Sequence, residues 1–288
     1  MESLKEILSP DFLLRNSVYT SVLIGFGCPF VGVFLVLRRL VFMGVALPQI
    51  SSTGVALALS VPMWLGLMKP GHAAHSEHLI AFAGSMFFSL AAILLLAFFE
   101  RRGRGSPEGR LGTAYVVASA LSILLLAKNR YAEVGWLDLL KGEIITIDNY
   151  DLEITGATLA VVLVALLLFH KEFLLVSFDR AMAATLGKKV LLWDIVIYLL
   201  IGVTVSISVL SVGPLISFGF LLVPALTAHL FAQNMRQFFT LASLLGGVTA
   251  FLGFWLAYQW DWPVGPTDVV LLGVLYTISF GVKKLFAR

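Results

Sequence analysis

Apolar residues run in long unbroken blocks along almost the whole chain, and these blocks set the fold class before any single residue is considered. Nine can be marked, at 17–37, 44–67, 79–99, 112–127, 153–170, 190–210, 212–232, 238–258 and 268–282. A helix needs roughly 20 apolar residues to cross about 30 Å of hydrocarbon. The blocks are continuous rather than alternating, and a helix satisfies its own backbone hydrogen bonds in lipid, so helices are predicted over strands. The predicted class is all-α, a polytopic membrane bundle of about nine transmembrane helices, with 112–127 the shortest. The polar interruptions at 100–111 and 128–152 are too short to bury a core of their own, so residues 17–288 read as one transmembrane domain. Before it, residues 1–16 carry Leu4, Ile7, Leu8, Phe12, Leu13 and Leu14 on one side and read as an interfacial segment, interrupted by Pro10.

Composition agrees and narrows the function classes. Of 288 residues, 59% are hydrophobic and 13% charged, where soluble domains carry about 25% charge. No HExxH or GxSxG motif is present, which leaves an intramembrane enzyme without support. The net charge of +3 is not gathered into a basic patch interleaved with aromatics, so no nucleic-acid partner is implied. The single Cys28 permits no internal disulfide and reads as a packing residue. The first apolar run lacks a basic leader and a convincing cleavage site, and reads as a retained span.

Charge then sets orientation. With nine spans, 14 of the 20 basic residues fall on one side, among them Arg38, Arg39, Arg101, Arg180, Lys188, Lys283 and Lys284. Lys- and Arg-rich short loops stay in the cytoplasm, so the C-terminus is predicted inside a bacterial-type inner (plasma) membrane and the N-terminus outside.

Five stretches depart from plain apolar helix. The span after Arg38 and Arg39 gathers Pro48, Gln49, Ser51, Ser52 and Thr53. Hydroxyls there can satisfy the carbonyl that a proline frees, but the long amide of Gln49 is costly in lipid and points to a polar pathway or another helix. Residues 70–78 read PGHAAHSEH, whose His72, His75 and His78 are candidate ligands for a divalent cation such as zinc. The outer stretch 135–151 carries Asp138, Glu143, Asp148 and Asp151, which read mainly as solvated surface. In the loop 171–189, Ser177 or Asp179 can cap a short helix, with Phe178, Ala181, Met182, Thr185 and Leu186 as its apolar stripe and Gly187 as its end. Arg180 lies on the same short element. Such a helix between two spans has little to bury against except a partner groove. Lastly, Gly213, Pro214, Gly219 and Pro224 lie within one apolar run, predicting a broken helix of the kind that lines transport pathways, with His229 near its inner end.

On these residues the chain resembles the integral-membrane permeases of the zinc and manganese ABC importers, and more distantly the iron-siderophore and vitamin B12 permeases. The likeness runs from about residue 15 to the end. It is carried in order by RRLVFMG, WLDLLKGEIITIDNYDL, FDRAMAATLG, VGPLISFGFLLVPALTAHLF and PVGPTDVVLLG. The resemblance implies a type II ABC importer-like bundle and a dimer, most simply a homodimer. It also implies an extracytoplasmic solute-binding protein that delivers the cargo, and a separate ATPase subunit docking on Phe178, Asp179, Arg180, Ala181, Leu186 and Gly187. On that reading this chain binds no cofactor, ATP and magnesium belong to the ATPase, and the cargo is a divalent ion such as zinc, manganese or iron. One position departs from the pattern: where the metal permeases typically show an Asp and, four residues later, a His, this chain has Val45 and Gln49. A permease of the same fold for a non-metal solute is therefore the alternative, with an ion-coupled carrier behind it. Asp194, Asp268 and Glu153 all fall near span ends, whereas ion-driven carriers hold carboxylates at mid-membrane.

Overall fold

A computed structural model describes residues 12–64, 74–101, 107–127 and 147–286. These form ten helices: α1 (Arg15–Leu37), α2 (Val41–Trp64), α3 (Ala74–Arg101), α4 (Pro107–Ala127), α5 (Asn149–Leu168), α6 (His170–Phe178), α7 (Arg180–Thr185), α8 (Val190–Phe231), α9 (Met235–Trp260) and α10 (Val264–Phe286). The described residues of the nine predicted blocks are helical, save for Phe169, where 153–170 crosses from α5 into α6, and Ala232, which caps α8; 65–67 lie outside the described residues, and the lengths differ from the expectation. Among the described residues, α1, α2, α5, α8, α9 and α10 are long and apolar enough to cross a membrane, while α3 and α4 carry shorter apolar stretches, Leu79–Leu95 and Gly109–Leu125.

The blocks at 190–210 and 212–232 belong to the 42-residue α8, which is two helical segments joined at a kink; Asp194 of the first and Leu221 of the second both meet the same end of α1, at Arg38 and Gly32, so the second segment turns back along the first. α8 is divided at Gly213, where φ is 80° and ψ 167°, a backbone region essentially reserved for glycine. The break is confined to that residue, with Pro214 opening the second segment. Pro48, Gly219 and Pro224 were expected at breaks as well, but they lie within continuous helix. Helix interiors in lipid accept proline where neighbouring helices and hydroxyls satisfy the freed carbonyls.

The two segments of α8 form the centre of the bundle. They pack against α1, α2, α9 and α10, while α2 also packs on α3 and α4. The helices come close because small residues face each other. A Cβ on Gly32 of α1 would lie 1.6 Å from the carbonyl oxygen of Leu221, and one on Gly246 of α9 would lie 2.1 Å from that of Gly25. Without a hydrophobic force between helices in lipid, this close van der Waals approach supplies much of the association. Phe34, Phe173, Phe220 and Phe238 fill the remaining volume and are fully buried.

Two ends are defined by side-chain ties. At one, the amide of Asn16 donates to Ile147 O (3.3 Å) and Asn149 Oδ1 (2.9 Å), and Phe12 meets Tyr258 edge-on at 5.3 Å. At the other, Arg38 meets Asp194. α10 starts beside Val18 and Phe254 at the first end, so its Lys283 and Lys284 lie toward the second. Of the predicted interfacial segment, residues 1–11 lie outside the described residues, and α1 begins at Arg15.

Candidate functional site: a polar seam and a basic junction

Two groups of side chains stand out from the apolar background. The first is a seam on α2. Gln49 Nε2 donates to Ser122 Oγ of α4 at 3.3 Å, and the single Thr53 hydroxyl donor has two carbonyls within reach, Ala118 O (2.8 Å) and Gln49 O (3.0 Å). Ser51 is hydrogen-bonded to Ser85 of α3, and Ser52 is buried beside it. Val45, one turn before Gln49, is half-buried. The four predicted pathway residues are thus brought together, and they tie α2 to both α3 and α4. All their donor atoms are neutral oxygens or nitrogens.

The second group lies at the Arg38 end. α7 is held by caps at both termini: Asp179 Oδ1 accepts from Met182 N at 2.9 Å, and Gly187, at φ 72°, lets its own N–H reach Ala184 O while Lys188 N reaches Ala183 O. This paired closure leaves few orphan backbone groups on so short a helix. Its buried contact is Ala183, so the stripe points outward: Phe178 is 62% exposed, Met182 53% and Leu186 59%, with Ala181 and Thr185 also exposed. The preceding α6 anchors the segment through Phe173, buried edge-on against Phe34 and Trp193. Glu172 at its start accepts from its own backbone N–H, and Lys188 lies 3.4 Å away; both hold its carboxyl below the usual range.

Between α7 and the bundle, Asp194 of α8 joins two arginines. Its Oδ1 lies 2.7 Å from Arg38 Nη1, and its Oδ2 lies 3.3 Å from Arg180 Nη2. Arg38 Nε also donates to Ser177 Oγ at 2.9 Å, and its guanidinium stacks over Tyr198 at 5.4 Å. α1 is turned into this position by a left-handed Arg39 (φ 57°), after which Leu40 N reaches Leu35 O. A non-glycine residue there costs on the order of 1 kcal/mol.

The remaining candidates are scattered or lie elsewhere. His72 is outside the described residues, as are the side chains of His75 and His78, and Asp138 and Glu143. Asp148 caps α5 by accepting from Asn149 N. His229 packs its ring 5.3 Å from that of Phe238, and Cys28 Sγ is buried 3.5 Å from Ser208 Oγ. Among the described residues, no group of three or more His, Cys, Asp or Glu side chains gathers as a metal site.

Asp268, near a span end in the sequence, has a fully buried side chain, and among the described residues neither carboxyl oxygen has a hydrogen-bond partner. Leu272, one turn on, shares its face and is also fully buried. Gly253 of α9 makes the room, since a Cβ there would lie 1.8 Å from Asp268 Oδ1. Gly253→Ala is expected to lower stability in detergent by about 2 kcal/mol through overpacking. Asp268→Ala in the same chain should recover most of that loss in a thermal melt; no recovery would place the clash elsewhere.

Known proteins resemble this chain over nearly its whole length. Residues 11–283 match the model of a family described as the ABC 3 transport family. The manganese import system permease protein ScaB of Streptococcus gordonii is 26% identical over 94% of this chain and 91% of its own length. A probable iron transport system membrane protein of Haemophilus influenzae is 26% identical over 97% and 93%. Among solved structures, a chain of PsaBC from Streptococcus pneumoniae in complex with Fab superposes with a TM-score of 0.81 at 25% identity, covering 97% of this chain and 94% of that one.

Proposed function

The chain belongs to the ABC 3 transport family, a multi-pass membrane permease, and from that premise we propose that it carries a divalent metal ion inward through the membrane while a separate subunit hydrolyses ATP. The observation that carries the ATP-driven part is α7: a helix capped at both ends whose largest apolar side chains stand in solvent. A cap at each terminus keeps so short a helix rigid enough to transmit force, and its apolar stripe needs a groove on a partner. The Arg38 end, which also carries Arg180 and lies toward Lys283, is the cytoplasmic face on the positive-inside rule. ATP and magnesium belong to the docked ATPase. Two copies of the chain form the pathway, and an extracytoplasmic binding protein loads it from the opposite end.

The relatives named for manganese and iron import support a metal as cargo. Within that class the α2 seam favours manganese over zinc. Gln49, Ser51, Ser52 and Thr53 offer oxygen atoms, which suit manganese, and no imidazole, which suits zinc. The neutral Val45 and Gln49 pair also favours one second reading, a small uncharged solute.

The test is metal accumulation in a transport-deficient bacterium carrying this chain with its ATPase and binding protein, measured by elemental analysis. Manganese should rise in wild type and fall about tenfold in Gln49→Ala, a loss of one polar contact with an ion in transit. Accumulation of zinc alone would reverse the choice of metal, and no metal response at all would select the uncharged solute.

A further inference from the structure

We propose that Asp194 is a positioning residue for transport, a carboxylate exchanged between Arg180 and Arg38 that passes movement of α7 to α1 and α8. The inference rests on the reading of α7 as the ATPase-docking element. Its basis is the unequal way the two arginines hold one carboxylate. Arg38 is nearly buried, its side chain 4% exposed, and it takes Oδ1 at 2.7 Å; Arg180 is 56% exposed and takes Oδ2 at a longer 3.3 Å. Arg38 Nη2 is buried and has no hydrogen-bond partner among the described residues. A guanidinium offers a fork that matches both oxygens of a carboxylate, and the two-bond pairing is the stronger one. Arg38 therefore has a donor in reserve for the oxygen that Arg180 now holds.

Two discrete arrangements follow. With α7 seated as it is here, Asp194 bridges α7 to α1. When α7 is drawn away with its ATPase, Arg180 leaves, the carboxylate turns, and Arg38 closes on both oxygens. The ion pair is never left broken in a buried place, which would cost several kcal/mol. Ser177 Oγ on Arg38 Nε and the Tyr198 ring beneath the guanidinium keep Arg38 fixed while its partner turns. A two-state element biased at one site and read at another is what coupling requires. α1 carries the outcome inward, since it packs closely on both α8 and α9.

The experiment uses the full transporter, with permease, ATPase and binding protein, in proteoliposomes. Three quantities are read: ATPase co-purification, ATP hydrolysis and cargo uptake per ATP. Failure of wild type to co-purify with its ATPase overturns the docking reading before any variant is made. Given docking, Asp194→Asn should leave co-purification intact and lower uptake per ATP about tenfold, within the usual range of coupling between sites. Asp194→Glu should restore most of it. Arg38→Lys keeps the charge and the Oδ1 bond but cannot grip two oxygens, so it too should lose uptake per ATP. Ser177→Ala, which removes only the Nε bond that lysine also lacks, should keep most of it. Uptake per ATP unchanged in Arg38→Lys overturns the exchange, as does unchanged uptake in a folded Asp194→Asn.

Discussion

Gly32→Ala is expected to prevent accumulation of folded permease. The added Cβ would lie 1.6 Å from Leu221 O and 2.8 Å from the attached carbonyl carbon, and both of these are backbone atoms of α8. No rotamer relieves a clash with backbone, so α1 and α8 must separate along the contact that organises the bundle. Losses above about 4 kcal/mol are reserved for this kind of core failure, and they approach the whole stability of many proteins. Gly273→Ala is the matched control, because among the described residues nothing lies within 4 Å of its added Cβ. Size-exclusion profiles in detergent should show the Gly32 variant aggregated and the Gly273 variant unchanged; a monodisperse Gly32→Ala protein with a normal melting temperature would refute the close approach.

The second large effect belongs to the docking stripe. Phe178, Met182 and Leu186 are each more than half exposed, and burying such side chains fully yields about 1.5–3 kcal/mol apiece. With part of each already covered, the three together contribute about 3–6 kcal/mol to binding, or roughly 10²–10⁴ in affinity. Replacing all three with serine should abolish co-purification of the ATPase and all ATP-dependent uptake. The bundle itself should stay intact, because these side chains lie outside its core. A retained complex would mean that the ATPase grips another surface.

How much of this was legible beforehand depends on the range of the interaction. The span positions, the cap at Asp179 and the end at Gly187 follow local rules about apolar runs, side-chain oxygens and left-handed turns, and all could be read along the chain. The outward direction of Phe178 and Met182 follows from the same periodicity. Asp268 was half legible. Its place near a span end could be read, yet nothing local revealed its burial or that Gly253, fifteen residues earlier, clears the space it occupies. The Arg38–Asp194 bridge spans 156 positions, and no periodic signal couples residues so far apart. Gly32 was silent for a different reason: a glycine within an apolar run reads as a neutral member of it, and only the approach of Leu221 gives it weight. The same holds for Gln49, whose cost in lipid was plain while its tie to Ser122 was not.

The buried carboxyl of α10 also bears on how the chain enters the bilayer. An aspartate weighs against insertion of an isolated span, by about 3 kcal/mol at mid-membrane and less toward its ends, and here the cavity that receives it belongs to the helix made just before. α9 and α10 are joined by only Asp261, Trp262 and Pro263. Leaving the translocon together as a hairpin, they would shelter the acid against Gly253 from the outset. A larger residue at Gly253 would then show itself first as a biogenesis defect, with the last span stranded outside lipid while the earlier ones insert normally.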